Sequence, residues 1–225
     1  MTTNSGETPP SQAALFADAL NRLEQQNFRR LVHEIVAPAG TDQLTIRYTK
    51  SRSLLLEPDF ASVTMRTSAA EIVVNGQTCG AMFASVLRSD GDDQDVFHDV
   101  CDGDSEYLLD VARIITRNWN FEDFPRRRDM LILDRIVVNP EYERRGLMRS
   151  ALAPFLEAFS PNPLLSILRA FPLGYERIGQ HARGFTAAAT GLVGYYEKAG
   201  YQLLPDQDGA AGWMHRPTAH TRPLR

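Results

Sequence analysis

Apolar residues recur at helical spacing in the first part of the chain, from Phe16 to Ile35. Ser11 precedes this run and is a favoured N-cap residue, whereas the Ala-Pro-Ala-Gly sequence that follows the run ends a helix. The pattern therefore predicts one long amphipathic helix that begins after Ser11. Residues 1–10 are polar and are expected to form a flexible tail ahead of a single domain, 11–225.

Alternation of apolar and polar residues follows and is typical of strands. Leu44, Ile46 and Tyr48 share one face of the first predicted strand, and Val63 with Met65 marks another. These short runs are bounded by turn-forming residues. We therefore expect the first half of the chain to supply several antiparallel strands.

The dipeptide Asn75-Gly76 is the strongest turn signal in the chain. These two residue types readily adopt the positive φ angles that a two-residue hairpin turn requires. We therefore expect a hairpin in which residues 71–74 pair with residues 77–86.

The second half of the chain mixes helical and strand patterns. The segment 89–104 is rich in aspartate and glycine and is expected to be an exposed loop. The segment 130–138 is dense in branched apolar residues, which is typical of a central strand. The other predicted elements, identified from apolar spacing and end signals, are helices at about 104–118, 146–159 and 186–198, a strand at 164–170 and terminal strands at 201–204 and 213–215.

This order of elements predicts an α/β or α+β fold in which helices cover both faces of a sheet. Such an architecture specifies no chemistry by itself. The composition excludes some functions. With 24 basic and 28 acidic side chains the net charge is -4, so the chain has no global positive field for nucleic acid.

Cysteine content and the start of the chain predict a soluble, cytoplasmic protein. Cys79 and Cys101 are too few for a disulfide framework. The first ten residues resemble neither a signal peptide nor an anchor, and no stretch approaches the roughly 20 apolar residues of a spanning helix. The aspartates between residues 90 and 104 miss the spacing of a calcium loop, and His98 with Cys101 lacks further ligands, so no metal is expected.

The segment 137–148 is the most informative part of the chain, because a buried strand turns there through a short charged loop into a helix. The first N–H groups of a helix lack internal partners, and the helix dipole adds partial positive charge at that end. Such a turn can bind a pyrophosphate. Gly146 keeps side-chain bulk away from that ligand.

This segment resembles the acetyl-CoA motif of the GNAT N-acetyltransferase superfamily, which lies between the fourth strand and the third helix of that fold. Val138, Pro140, Arg145 and Gly146 occupy the expected positions. Two residues depart from the motif. Glu143 stands where the family usually has Arg or Gln, and Met148 stands where it usually has Gly or Ala; the bulk of Met148 is expected to narrow the pyrophosphate pocket.

A second stretch, 195–201, looks like the Tyr-Glu-Lys-x-Gly-aromatic ending of the family's last helix, although the upstream asparagine and alanine are replaced by Ala189 and Leu192. The hairpin at Asn75-Gly76 is similar to the family's second and third strands. The resemblance covers roughly 70–86 and 130–215; the first helix and an extra helix at about 104–118 lie outside it.

The resemblance implies a mixed, mostly antiparallel twisted sheet that is splayed between the fourth and fifth core strands. It also implies an acyl-CoA co-substrate, with acetyl-CoA the first expectation, a primary amine acceptor and no metal. Backbone groups of the fourth strand would bind the pantetheine arm and the following turn would bind the pyrophosphate. The residues implied for the cofactor are Ile136, Val137, Val138, Arg144, Arg145, Gly146, Leu147, Met148 and Arg149.

The same resemblance implies the catalytic residues. Tyr196 matches the tyrosine that protonates the departing thiolate, and the competing interpretation is a packed core aromatic. Asp134 is our candidate general base, since it is a carboxylate in an apolar strand and is expected on the same face as Ile136. Glu122 or Asp123 is an alternative base. In the structural alternative, Asp134 has no catalytic role and forms an ion pair with a cation such as Arg135. The resemblance also implies that residues 169–173 line the acceptor pocket.

The sequence leaves three questions of function open. The departures at Glu143 and Met148 favour an alternative in which the chain is a CoA-binding or regulatory module that has lost turnover. The acceptor is a small molecule or a protein; the net charge argues mildly against tRNA without excluding it. No membrane partner is expected, and a homodimer remains open.

Overall fold

The computed structural model describes residues 8–25, 33–39, 42–56, 63–89, 93–120, 124, 128–176, 178–205 and 212–218. Within these ranges the helices are α1 (Gln12–Gln25), α2 (Gln94–Asp104), α3 (Glu106–Asn118), α4 (Leu147–Phe159) and α5 (Phe185–Glu197). The strands are β1 (His33–Ala39), β2 (Asp42–Tyr48), β3 (Leu54–Leu55), β4 (Val63–Val74), β5 (Gln77–Ser89), β6 (Arg128–Val138), β7 (Leu165–Arg169), β8 (Gln202–Leu203) and β9 (Trp213–Arg216).

These strands form one open, mixed and largely antiparallel sheet in the order β1-β2-β4-β5-β6-β7-β9-β8, with β3 paired to β4. Among the described pairs, β6 and β7 are parallel and the rest are antiparallel. The helix α4 crosses over between the two parallel strands, as a parallel pair requires. The expected α/β or α+β class, with a mostly antiparallel sheet, is confirmed.

Helices cover both faces of this sheet because the side chains of β6 alternate between two apolar cores. Leu131 and Leu133 pack in a core with α4, whereas Met130 and Ile132 pack in a core with α2 and α3. Helix α1 covers a third, smaller cluster that includes Val137. None of the helices in the described ranges is long and apolar enough to span a bilayer.

The predicted hairpin is confirmed. Strands β4 and β5 pair along their length, and the turn residues Asn75 and Gly76 have φ angles of 51° and 79°. The predicted strands at 44–48, 130–138 and 164–170 and the predicted helices at 104–118, 146–159 and 186–198 are also confirmed, within a few residues. The terminal strands β8 and β9 pair as expected.

The long N-terminal helix is wrong in its second part. Ser11 caps α1 as predicted, since its Oγ accepts a hydrogen bond from the Ala14 N–H at 3.2 Å. However, residues 33–39 form strand β1, which pairs Ile35 with Ile46 of β2. The spacing of apolar residues in this segment is compatible with a helix or a strand, and pairing with β2 makes it a strand. The predicted helical residues between 26 and 32 lie outside the described ranges.

The predicted exposed loop at 89–104 is also wrong where the chain is described, because residues 94–104 form α2. Asp93 caps this helix by accepting hydrogen bonds from the N–H groups of Asp95 and Val96 at 2.9 and 3.2 Å. Phe97 and Cys101 are buried on its inner face, in the core shared with α3. The aspartates lie mainly on the outer face of this helix. Because they dominate the composition of the segment, composition alone did not indicate the short apolar stripe on its inner face.

Candidate functional site

The sheet opens beside the C-terminal half of β6. The parallel ladder between β6 and β7 ends at the pair Leu133–Leu168. Strand β7 ends one residue later at Arg169, whereas β6 continues to Val138 and remains paired with β5 on its other side. Residues 134–138 of β6 therefore border an opening on the side where β7 would otherwise continue.

A β-bulge at Asp134 changes the direction of the side chains at this point. Leu133 pairs with Ala84 and Arg135 pairs with Phe83, so Asp134 has no partner in β5. The expectation that Asp134 and Ile136 share a face assumed strict alternation, and the bulge interrupts it. Ile136 packs against the core under α4, whereas the Asp134 carboxylate bonds to groups on the α3 side.

Some backbone N–H and C=O groups of β6 point into the opening and are not paired with another strand. The Asn139 N–H donates to the Cys79 carbonyl at 3.0 Å, so the backbone N–H and C=O groups of Asn139 point toward β5. The backbone groups of Val137, two residues earlier, point the same way because alternate residues of an antiparallel strand bond to the same neighbour. By the same alternation, Ile136 and Val138 turn their N–H and C=O groups away from β5. These two residues fit the predicted role of a strand edge; Val137 does not, since its ladder partner is Ala81 and its side chain packs under α1.

The turn after β6 leads directly into α4. Residues Pro140–Tyr142 form a single 3-10 turn that Asn139 caps, and the chain then passes through positive φ angles at Arg144 (62°) and Gly146 (74°). The first hydrogen bond of α4 is donated by the Ser150 N–H to the Gly146 carbonyl at 3.1 Å. The N–H groups of the first turn, Leu147 to Arg149, thus have no acceptor within the described residues.

A cavity of about 510 Å³ lies between this turn, the free edge of β6 and helix α5. Its charged lining consists of Arg144, Arg149 and Lys198 against Glu143, so positive charge dominates. The lining residues are Gln12, Ile136, Val138, Tyr142, Glu143, Arg144, Gly146, Leu147, Met148, Arg149, Leu192, Tyr195, Tyr196 and Lys198. This cavity combines cations, free amides of a helix start and an apolar strand edge, which suits a phosphate group joined to an extended arm.

The side chain of Met148 packs mainly into the protein core, although the residue also lines the first cavity. It is 4% exposed and lies against Gly80 of β5. A Cβ atom at Gly80 would lie only 2.7 Å from the Met148 Cε and 2.9 Å from the Val137 carbonyl oxygen. The glycine therefore leaves the space that the methionine fills, and most of the bulk that was expected to narrow the pocket is accommodated inside the sheet.

A second cavity of about 440 Å³ adjoins the first on the α1 side. Four residues line both cavities, namely Gln12, Ile136, Leu192 and Tyr196. Arg169 and residues 171–175 line the second cavity together with Asp134 and Arg135. The predicted segment 169–173 therefore lies at this cavity, except for Ala170, which is buried in the core. Pro9 and Pro10, the last residues of the expected tail, close one side of it.

Tyr196 stands at the junction of the two cavities. Its side chain is 7% exposed and packs edge-on against Tyr195 and Tyr201. Its hydroxyl makes no hydrogen bond within the described residues. Burial raises the pKa of Tyr196 well above that of a free tyrosine, and the neighbouring tyrosines raise it further. The hydroxyl therefore remains protonated near neutral pH and can donate a hydrogen bond or a proton to a ligand.

Asp134 faces the second cavity from the bulge. The Ser85 Oγ donates to Asp134 Oδ2 at 2.8 Å, and the Tyr107 hydroxyl donates to Oδ1 at 3.0 Å. Burial raises the pKa of Asp134 to about 6, against the lowering effects of these two hydrogen bonds and of Arg135. A carboxylate with this pKa is mostly ionised at neutral pH and still accepts a proton readily.

Some predicted site residues lie away from the cavities. Arg145 does not line the first cavity, and its guanidinium stacks over the Tyr142 ring at 4.9 Å. The alternative bases Glu122 and Asp123 lie outside the described residues.

Sequence reasoning missed Gln12, Leu192, Tyr195 and Lys198 as lining residues of the first cavity. Lys198 lies two residues after Tyr196 in the second motif-like stretch, which is the signal that could have identified it. Gln12 lies in α1, in a part of the chain without a family-like pattern, so its position depends on tertiary packing.

The described residues contain no group of three or more His, Cys, Asp or Glu side chains that could hold a metal ion. Comparisons of the chain with protein-family models, with curated proteins and with solved structures found no match.

Proposed function

We propose that this protein is an acyl-CoA-dependent N-acyltransferase that transfers an acetyl group from acetyl-CoA to a primary amine. The observation that carries the proposal is the opening beside β6, because it adjoins the start of α4 and connects two cavities. One cavity has the cations and free amides for a nucleotide diphosphate, and the other has a carboxylate for an amine. The GNAT-like motif at 138–146 supports the same assignment.

In this proposal the first cavity binds the co-substrate. The N–H groups of Leu147 to Arg149 and the side chains of Arg144 and Lys198 hold the pyrophosphate. The outward backbone groups of Ile136 and Val138 bind the pantetheine amides as an added strand would. The thioester then reaches the junction of the cavities, where Tyr196 lies.

The second cavity binds the amine, and its chemistry follows from the two titratable groups. Asp134 takes a proton from the ammonium group, which frees the nitrogen lone pair. The nitrogen forms a bond to the thioester carbonyl carbon, the C–S bond breaks, and the amide nitrogen releases its second proton to solvent. Tyr196 donates its proton to the departing sulfur and regains it from Asp134 through water after product release.

Isothermal calorimetry with acetyl-CoA, followed by a thiol-release assay with a panel of amines, tests this function. We expect binding and amine-dependent release of CoA. Binding without release would support the alternative of a CoA-binding module, and absence of binding would refute both. Arg149→Gln removes one cation from the cavity and should weaken binding about two- to fivefold. Arg113→Gln, on the exposed surface of α3, is the matched control and should leave binding unchanged.

A further inference from the structure

The second cavity contains an arginine whose Nε has no hydrogen-bond partner among the described residues. Arg169 is the last residue of β7 and lines this cavity, and its Nε is buried without an acceptor in the described part of the chain. The nearest carboxylate oxygen, Asp110 Oδ2, lies 3.9 Å from its Nη1, which is beyond hydrogen-bond distance. A partly buried charged donor needs a hydrogen-bond partner, which is water in the empty cavity and can be a ligand in the occupied one.

Two aromatic rings hold the Arg169 guanidinium in position. Its Cζ lies 5.0 Å from the centre of the Phe171 ring and 6.0 Å from the centre of the Trp213 ring. Stacking of this kind uses the faces of the guanidinium and leaves its in-plane N–H groups free. The side chain is therefore oriented before a ligand binds, and an arginine fork of this kind matches a carboxylate.

A carboxylate of the protein lies beside this arginine at the start of the opening. Leu133 and Leu168 form the last pair of the parallel ladder, and the next residues on the two strands are Asp134 and Arg169. Adjacent strands are roughly 5 Å apart before they diverge. The remaining charged residue of the lining, Arg135, is paired with Glu176 at 3.0 Å. Asp134 has lone pairs beyond the two hydrogen bonds that it accepts, and Arg169 has an unpaired Nε, so these two charged groups of the lining can bond to a ligand.

The rest of this cavity is mainly apolar, with Leu15, Leu173 and Leu192 on its wall. On these grounds, and on the basis of the function proposed above, we propose that the acceptor is a free α-amino acid with an apolar side chain. Arg169 binds the α-carboxylate, Asp134 binds the α-ammonium group and then accepts its proton, and the apolar wall receives the side chain. A protein lysine or N-terminus lacks a carboxylate at this spacing and does not fit.

Three probes with the same apolar side chain and a primary amine test the proposal: L-leucine, L-leucinamide and 3-methylbutylamine. In the thiol-release assay we expect kcat/KM for leucine to exceed that for the two analogues without a carboxylate about 10- to 100-fold, the range of a charge-assisted hydrogen bond. Arg169→Gln should bring the ratio close to one. Arg135→Gln removes an equal charge from the same cavity and should keep the preference. Equal rates in the unaltered protein, or a preference that survives Arg169→Gln, would overturn the proposal.

A binding measurement separates this inference from the proposed function. N-acetyl-L-leucine carries the carboxylate of the product and N-acetyl-L-leucinamide lacks it, so calorimetry with both needs no turnover. We expect only the acid to bind, and Arg169→Gln to lose that binding while acetyl-CoA affinity is unchanged. Acid binding without acetyl-CoA binding would reject the transferase and keep the carboxylate site. Transfer to amines in general, with equal binding of acid and amide, would reject the carboxylate site alone.

A second variant at the same position keeps the test decisive if Arg169→Gln does not fold. Arg169→Lys keeps the positive charge and loses the planar fork, so we expect an intermediate preference for leucine. Thermal melting establishes that each variant is folded. If Arg169→Gln fails to fold, a leucine preference that is undiminished in Arg169→Lys still counts against the fork geometry.

Discussion

Replacing Asp134 by asparagine separates the stability cost of this carboxylate from its proposed role as a base. In the folded protein its pKa is raised from 3.8 to about 6, chiefly by burial. The folded state therefore binds this proton more tightly than the unfolded state. The stabilisation from protonation is complete below pH 3.8 and is lost as the pH rises through about 6.

The size of the effect follows from the two pKa values. At about 1.4 kcal/mol per unit of pKa, the shift from 3.8 to about 6 amounts to roughly 3 kcal/mol over the whole range. Between pH 7 and pH 5 the unaltered protein should gain about 1.4 kcal/mol from this group. Asparagine has the same shape and no charge, and the Ser85 and Tyr107 hydroxyls can rotate to bond with it. Asp134→Asn should therefore be more stable at pH 7, with a smaller difference at pH 5.

Urea unfolding of both proteins at pH 5, 6 and 7 measures this difference, because all other titrating groups are shared and cancel. The same variant should lose amine acetylation by about 100-fold or more at pH 7, if Asp134 is the base. A stability difference that does not change with pH would show that burial does not raise this pKa. Full turnover in Asp134→Asn would dismiss its role as a base.

Three further predictions test other parts of the structure. Tyr196→Phe should keep acetyl-CoA affinity in calorimetry and lower turnover about 100-fold or more in the thiol-release assay, because the hydroxyl is a proton donor in the proposal; unchanged turnover would make Tyr196 a packing residue. Gly80→Ala should cost roughly 1–3 kcal/mol in urea unfolding, because its Cβ would collide with Met148 and the Val137 carbonyl. Met148→Ala in the same protein should relieve only the first collision, and no relief would contradict the packing. Asp93→Ala should cost about 1 kcal/mol by the same measurement, because it removes the N-cap of α2, and no cost would argue against that cap.

Local chemistry was enough to predict much of the fold. The hairpin at Asn75-Gly76 follows from the turn residues themselves, because Asn and Gly adopt positive φ angles at low cost. The start of α4 at Gly146 follows from a strand pattern, a proline and a glycine within a few residues of one another. These features depend on neighbours in sequence, so one sequence is sufficient to find them.

The two wrong predictions of secondary structure arose where distant residues decide the structure. Strand β1 has an apolar spacing that also fits a helix, and it becomes a strand because β2 provides a partner. Helix α2 has an acidic composition that suggests a loop, and it folds because Phe97 and Cys101 find a core with α3. The composition of a segment and the spacing of its apolar residues contain no information about such distant partners.

Local sequence patterns were enough to predict the order of most elements, the hairpin, the strand-to-helix turn and the residue types that a phosphate site needs. Which of these residues lie close together depends on the three-dimensional fold. The bulge turns Asp134 toward α3, the early end of β7 opens the sheet, and the same opening brings Arg169 and Tyr196 to adjoining cavities. The physical reason is that side-chain direction in a sheet depends on register and on partner strands, which a linear pattern does not contain.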